Sequence, residues 1–128
     1  MTEANATLDP RSAAPTVLPP RLAVRSGDRL VLVDIGEIDW IEANDNYVTI
    51  WRGTETLTMR GPLDGLENRL STHGFFRISR SALLNLERVR ELRRLSPQRY
   101  RLLLKDGRQL KVSRGCVRKA KRLLETLL

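Results

Sequence analysis

Apolar residues from Leu22 onward occur in short runs separated by polar or glycine-containing breaks. Such spacing favours strands over helices, because a strand crosses a core within a few residues. Runs rich in β-branched and aromatic residues predict three consecutive strands, at 39–43, 47–52 and 55–60. The Asn44-Asp45-Asn46 stretch between the first two is typical of a tight turn.

The segment 28–38 differs from these strands because both of its faces are apolar. Leu30 and Leu32 alternate there with Val31 and Val33. Apolar residues on both sides are typical of a strand that other layers cover on both faces. The pattern therefore predicts a strand buried on two faces.

Two segments change to a helical period. Leu63, Leu66 and Leu70 follow Pro62 at intervals that place them on one stripe of a short helix. A second apolar stripe, near the C-terminus, consists of Val117, Ala120, Leu124 and Leu127. Ser113 precedes this second stripe as its predicted N-cap, and basic residues flank the stripe, so a basic amphipathic helix is expected.

The remaining pattern sets the domain limits. A strand is predicted from Val89 to a turn at Ser96-Pro97, followed by a hairpin whose turn contains Asp106-Gly107. Residues 1–22 hold four of the six prolines and have no apolar period, so they are predicted to be a disordered tail or linker. Residues 23–128 are enough for one core and are predicted to form one domain.

Charge is distributed unevenly along the chain. The net charge is +8, with 41% apolar and 30% charged residues. Residues 1–75 carry 7 Lys/Arg against 11 Asp/Glu, whereas residues 76–128 carry 16 against 4. A field of this strength attracts polyanions, which points to nucleic acid or an anionic membrane surface facing the C-terminal half.

Composition also excludes several kinds of chemistry. Cys116 and His73 are the only cysteine and histidine, too few for a disulfide framework, a Cys/His zinc site or a Cys/His catalytic pair. Acidic residues between Asp34 and Glu42 have neither a phosphate loop nor a histidine beside them. We therefore expect no enzyme activity, metal or cofactor. The sequence has neither a bilayer-spanning apolar run nor a signal peptide. We therefore expect no membrane insertion and a cytoplasmic location.

The stretch 75–89 places Arg77 and Arg80 among large apolar residues. Either these arginines are buried with partners, or one edge of an apolar segment contacts something outside the domain. For Arg77, pairing with a carboxylate such as Glu42 and contact with a phosphate both remain open.

Three motifs stand in a recognisable order. They are "IDWIEANDNYVTI" (38–50), "FFRISRSALLNLERVREL" (75–92) and "LKDGRQLKVSRG" (104–115). Together they resemble the LytTR-type DNA-binding domain of bacterial transcription regulators, including response-regulator effector domains. The resemblance implies a mainly β fold: an elongated stack of small, mostly antiparallel sheets with one short internal helix and a C-terminal helix. It also implies DNA binding through three loops that enter major grooves and contact the backbone between them. They correspond here to the Asn44-Asp45-Asn46 turn, the segment 77–81 and the segment 112–115.

The residues assigned to DNA binding are Asn44, Asp45, Asn46, Arg77, Ser79, Arg80, Ser81, Lys111, Ser113, Arg114, Arg118 and Lys119. At the loop positions that the resemblance implies, Arg80 and Arg114 are the predicted base readers, since guanidinium groups bond bidentately to guanine. Asn44 and Asn46 suit adenine or phosphate, although turn formation alone also explains them. The basic residues near the C-terminus suit phosphate contacts. Ser79 and Ala82 stand where the family more commonly has a histidine and an aromatic residue.

The expected function is that of a sequence-specific regulator of transcription that binds double-stranded DNA, with two copies on paired repeats. A regulatory protein, membrane-bound or soluble, is a further expected partner. The alternative is a basic module that binds a protein partner without sequence-specific DNA recognition. RNA or single-strand binding is less favoured because only two Trp, two Tyr and two Phe could stack on bases. A membrane-surface role for the last helix competes with simple packing.

Overall fold

The computed structural model describes residues 20–127, which form ten strands and two helices. The strands are β1 (Arg21–Ser26), β2 (Arg29–Asp34), β3 (Trp40–Asn44), β4 (Tyr47–Arg52), β5 (Glu55–Arg60), β6 (Phe75–Ser79), β7 (Ala82–Asn85), β8 (Val89–Ser96), β9 (Arg99–Leu104) and β10 (Gln109–Val112). The helices are α1 (Leu63–Leu70) and α2 (Val117–Glu125). Single 3₁₀ turns lie at Ile35–Glu37, Ser71–His73, Leu86–Arg88 and Arg114–Cys116.

All strand pairs in the described part of the chain are antiparallel and form three sheets. β1 pairs with β2; the central sheet has the order β5-β4-β3-β7-β6; and the third has the order β10-β9-β8. The mainly β fold with a short internal helix and a C-terminal helix is confirmed. The predicted strands 47–52 and 55–60 match β4 and β5, and β3 lies one residue later than predicted.

The central sheet is covered on both faces. Successive side chains of β3 point to opposite faces of the sheet. Ile41 lies in the first cluster of buried residues, together with residues of β1, β2 and α1. Trp40 lies in the second cluster, together with residues of the third sheet and α2. The two faces of β6 divide in the same way, with Phe75 in the first cluster and Phe76 in the second. The predicted α1 stripe is confirmed, since Leu63, Leu66 and Leu70 are all buried.

The expectation that the 28–38 strand is buried on two faces is wrong. In β2, Val33 is buried and Val31 packs against the core, but Leu30 and Leu32 are 60% and 55% exposed. The two-stranded sheet contacts the core with one face only, and no described element covers the other. Of the predicted tail 1–22, residues 1–19 lie outside the described residues, and Arg21 and Leu22 begin β1.

Ser113 is not the N-cap of α2. It precedes the 3₁₀ turn Arg114–Cys116, its side chain makes no capping hydrogen bond, and α2 begins at Val117. Ala120 of the predicted stripe is buried, whereas Leu127 is 68% exposed because α2 ends at Glu125.

Asp39 links the central sheet to the third sheet. Its Oδ2 accepts hydrogen bonds from the Gly53 amide at 2.9 Å and from Arg108 Nη2 at 2.6 Å. Its Oδ1 lies 3.3 Å from Arg88 Nε in an ion pair that lacks hydrogen-bond geometry. Arg108 also hydrogen-bonds Asp106, which lowers the pKa of that carboxyl below its ordinary value. The buried carboxylate therefore holds the β9–β10 turn and the segment before β8 against the end of β4.

Candidate nucleic-acid interface

The three predicted DNA-binding loops lie next to one another. β3 runs antiparallel to β7, so the end of β3 meets the β6–β7 turn, where the Ala43 amide donates to the Ser81 carbonyl at 2.7 Å. On the other side of β6, the Ser113 amide donates to the Ile78 carbonyl at 2.8 Å. The β3–β4 turn, the β6–β7 turn and the 111–114 segment therefore form one continuous edge, which we call the loop edge.

The β3–β4 turn is built for a sharp reversal. Asp45 has φ +53°, the left-handed conformation that Asp and Asn adopt more readily than other non-glycine residues. The Gly61 amide donates to the Asn46 carbonyl at 2.9 Å and ties the turn to the end of β5. Asn44, Asp45 and Asn46 are all exposed. Turn formation thus explains Asp45, while the side chains of Asn44 and Asn46 remain open to solvent.

The β6–β7 turn presents Arg80 on a rigid base. Phe76 and Ile78, in the strand before it, are buried, while Arg80 is exposed at the tip. The Ser81 amide donates to Ser79 Oγ at 3.2 Å, so the Ser79 hydroxyl already stabilises the turn. The apolar residues of the stretch anchor it, and one of its two arginines points outward.

Arg77 is held inside the domain by carboxylates of α1. Its Nε donates to Glu67 Oε1 at 2.9 Å, its Nη2 pairs with Asp64, and its Nη1 donates to the Arg80 carbonyl at 2.5 Å. The side chain is only 16% exposed. Internal pairing is therefore observed, but with Asp64 and Glu67 and not with Glu42. Asp64 and Glu67 are three apart on a helix, a spacing that places them on one face and could have suggested a common partner.

Glu42 instead faces the loop edge. It lines a cavity of about 370 Å³ together with Ser79, Ser81, Lys111 and Ser113. Sequence reasoning missed this placement, because the strand period gives the face of β3 on which Glu42 lies but not the sheet opposite it. A carboxylate acceptor therefore lies between two otherwise basic or hydroxyl-bearing loops.

The C-terminal cations divide into two groups. Arg114 and Arg118 line one cleft of about 520 Å³ with Lys121 and Arg122, between the β8–β9 turn and α2. Lys119 is exposed on α2 and does not line this cleft. Lys111 and Ser113 lie closer to the β6–β7 turn, through the cavity that they share with it.

Within residues 20–127, several of these cations have no carboxylate in ion-pair contact. They are Arg80, Lys111, Arg114, Arg118 and Lys119. Arginines elsewhere, such as Arg52 with Glu55 and Arg108 with Asp39, are paired internally. These five cations are therefore free of ion pairs among residues 20–127, although Glu42 and Asp45 contribute negative charge at the loop edge.

Comparison with known proteins identifies the family. Residues 28–125 match the model of the LytTr DNA-binding domain. The chain belongs to the LytTR family. It is 30% identical over 104 residues to the sensory transduction protein LytT of Bacillus subtilis, covering 81% of this chain and 43% of LytT. It is 32% identical over 108 residues to the positive alginate biosynthesis regulatory protein of Pseudomonas aeruginosa, covering 83% of this chain and 43% of that protein.

A solved LytTr DNA-binding domain from a Bacillus cereus response regulator has the same fold. The two superpose with a TM-score of 0.73 at 20% identity, covering 81% of this chain and 95% of the solved one. The chain thus spans less than half the length of the curated relatives but nearly all of the solved domain. A LytTR domain is a DNA-binding unit and not a catalytic one. No helix within residues 20–127 is long and apolar enough to span a membrane.

Sequence reasoning also missed a cation at the far end of the loop edge of this LytTR domain. Arg60, the last residue of β5, pairs in register with Tyr47, and its guanidinium lies 5.9 Å from the Tyr47 ring centre. Both residues are exposed beside the β3–β4 turn. The period-2 pattern locates β5, but pairing with Tyr47 depends on the register that the turn sets.

Proposed function

We propose that this LytTR domain is a sequence-specific regulator of transcription that reads the major grooves of double-stranded DNA through its loop edge. The observation that carries the proposal is the arrangement of Arg80 and Arg114. Both are exposed: Arg80 is at the tip of the turn that follows the buried residues Phe76 and Ile78, and Arg114 is in the 3₁₀ turn that follows the buried Val112. Neither has an ion pair within the described residues. A guanidinium held in this way can bond guanine O6 and N7 without first breaking an internal contact.

The other loop residues take supporting roles. Asn44 and Asn46 can bond adenine or a phosphate, and Asp45 shapes their turn. Lys111, Ser113, Arg118 and Lys119 contact phosphates, which fix the register of the domain on the duplex without reading bases. Ser79 and Ser81 form the frame of the β6–β7 turn, and Arg77 is a positioning residue that holds the same turn from behind.

Two copies bind paired repeats on one DNA, and a regulatory protein controls the activity. The protein acts in the cytoplasm, and its proposed function requires no catalysis, metal or cofactor. A regulatory role is supported by two relatives, a sensory transduction protein and a positive regulator of alginate biosynthesis. The competing function is a basic module for an acidic protein partner, for which the same charge would serve.

Enrichment of a random duplex DNA pool on the purified protein tests the proposal. At about 150 mM salt the Debye length is about 8 Å, so non-specific attraction is largely screened. One short motif, recovered as two copies at fixed spacing, is the expected result. A folded protein that enriches no motif would favour the acidic-partner function.

Substitution of the predicted readers should weaken binding to the enriched site selectively. Arg80→Ala or Arg114→Ala is expected to cost about 1–3 kcal/mol on that site and much less on random DNA, because each removes a base contact. Lys119→Ala is the matched control, since loss of a phosphate contact should weaken both DNAs alike. Competition binding with both duplexes measures the difference. Equal losses on both DNAs for all three variants would contradict the reader assignment.

Salt dependence should report the phosphate contacts as a group. If the basic residues of the loop edge and α2 make about 5–7 such contacts, log affinity should fall against log salt with a slope of roughly −4 to −6. A titration at several salt concentrations by fluorescence anisotropy gives the slope. A value near −1 is incompatible with an interface of this size.

A further inference from the structure

Three cations lie side by side on the outer face of the third sheet. Arg93 of β8 pairs in register with Arg101 of β9, which pairs in register with Lys111 of β10. Leu92, Leu102 and Leu110, one residue away on each strand, contact the second core cluster, so the cations point away from it. Neighbouring strands are about 4.8 Å apart, which places the three within about 10 Å. We call this set the basic row.

This arrangement carries an energetic cost in the isolated domain. Like charges directly opposite each other on adjacent strands are destabilising. Glu91 offsets part of the charge of Arg93 through a 3.0 Å hydrogen bond. Arg101 and Lys111 have no ion pair within residues 20–127. A bound polyanion would remove this repulsion.

The basic row leads into a groove next to the loop edge. This groove, about 430 Å³ in volume, is lined by Arg99, Arg101, Lys111 and Arg114, with the Gln98 amide and the Ser113 hydroxyl beside them. No carboxylate lines it. Because it includes Arg114, it continues the proposed DNA-reading surface without a break. We call it the corner groove.

We propose that the corner groove and the basic row hold the sugar-phosphate backbone of the duplex flanking the site read by Arg114. Arg99 and Arg101, which lie outside the three predicted loops, then bind phosphate. This inference rests on the proposed function. Among polyanions, DNA fits better than an acidic protein, because protein interfaces are depleted of charge at their core, whereas four cations and no carboxylate line this groove. Its apolar lining is limited to Leu95, Tyr100 and Val112.

The test uses the double variant Arg99→Gln/Arg101→Gln with the enriched duplex and with random duplex. The slope of log affinity against log salt should become shallower by about 2, since each lost phosphate contact changes it by about 1. Affinity should fall alike on both DNAs. Hydroxyl-radical footprinting should show loss of sugar protection on one flank of the site, while protection of the guanine N7 atoms read by Arg114 from dimethyl sulfate remains.

Two further measurements distinguish a damaged fold in the double variant from the loss of phosphate contacts with DNA. Arg25→Gln, an exposed arginine on β1 far from the groove in the fold, removes one unit of charge and should leave the footprint and slope unchanged. The melting temperature of the single variant Arg101→Gln should stay equal or rise, because a like-charge pair is relieved.

The outcomes separate this inference from the proposed function. If the double variant keeps the wild-type slope and footprint while the wild-type protein binds its enriched site, the backbone assignment is overturned and the regulator function stands. If the wild-type protein binds no duplex, both the backbone assignment and the proposed regulator function are wrong. Loss of heparin retention by the double variant in that case would assign the groove to another polyanion.

Discussion

Arg77→Ala is expected to abolish most of the discrimination between the enriched site and random DNA, although this side chain need not touch DNA. Arg77 joins Asp64 and Glu67 of α1 to the Arg80 carbonyl, so its removal frees the β6–β7 turn from the helix. Because the turn carries Arg80 and its neighbours together, the loss should exceed that of Arg80→Ala alone, at about 2–4 kcal/mol on the enriched site.

Arg77→Lys provides the conservative comparison. A lysine keeps the charge but presents one ammonium in place of a planar fork, so it cannot reach three acceptors in the same geometry. We expect it to recover part of the stability and little of the discrimination. Competition binding against random duplex, with melting curves on the same samples, measures both quantities.

A second destabilised variant tests whether loss of stability alone could explain a loss of DNA discrimination in Arg77→Ala. Val24→Ala removes buried volume from the first core cluster without contacting the β6–β7 turn. It should lower the melting temperature while preserving the ratio of affinities for enriched and random DNA at a temperature where the protein is folded. If Arg77→Ala also preserves this ratio, the positioning role is incorrect and Arg77 serves stability alone.

Asp39→Ala is expected to lower the free energy of unfolding by about 3 kcal/mol. The substitution leaves Arg88 and Arg108 without their shared carboxylate and leaves the Gly53 amide without its acceptor. Removing one partner of a buried ion pair costs about 3–5 kcal/mol, and the partial exposure of both arginines places this case at the lower end. Urea unfolding gives the value.

Asp106→Asn is the matched control for this substitution. It removes the other carboxylate on Arg108, but Asp106 is 46% exposed and lies outside the contact between the sheets. A solvent-exposed pair contributes less than about 1 kcal/mol, so this variant should unfold near the wild-type midpoint. Similar losses for Asp39→Ala and Asp106→Asn would contradict the linking role of Asp39.

The local elements were predictable where one periodic pattern dominated. The polar stretch at Asn44-Asp45-Asn46 fixed the turn between β3 and β4, and the leucine spacing fixed α1. In each case the side-chain period and the turn residues indicate the same element, so local chemistry suffices. For Arg80, in contrast, the local pattern left burial and exposure both open, and its outward placement was expected only from the family resemblance.

Errors arose where the pattern did not specify the covering layer. Leu30 and Leu32 have the apolar character of core residues, yet nothing in the described structure packs on their side of β2. Apolar residues on a surface are tolerated, whereas unpaired buried charges are not, so hydrophobic pattern is a one-way guide to burial.

By itself, the sequence indicated the family, several strands, among them β4 and β5, the two helices and the concentration of positive charge in the C-terminal half, but not the order of the strands within the sheets. Only the tertiary structure decided which carboxylates hold Arg77, that Glu42 faces the loop edge, and that Arg93, Arg101 and Lys111 lie in one row. These residues are far apart along the chain or belong to different strands. Their proximity depends on sheet register and on the packing of one layer over another, which arise from the sum of many contacts and leave no local signal in the sequence.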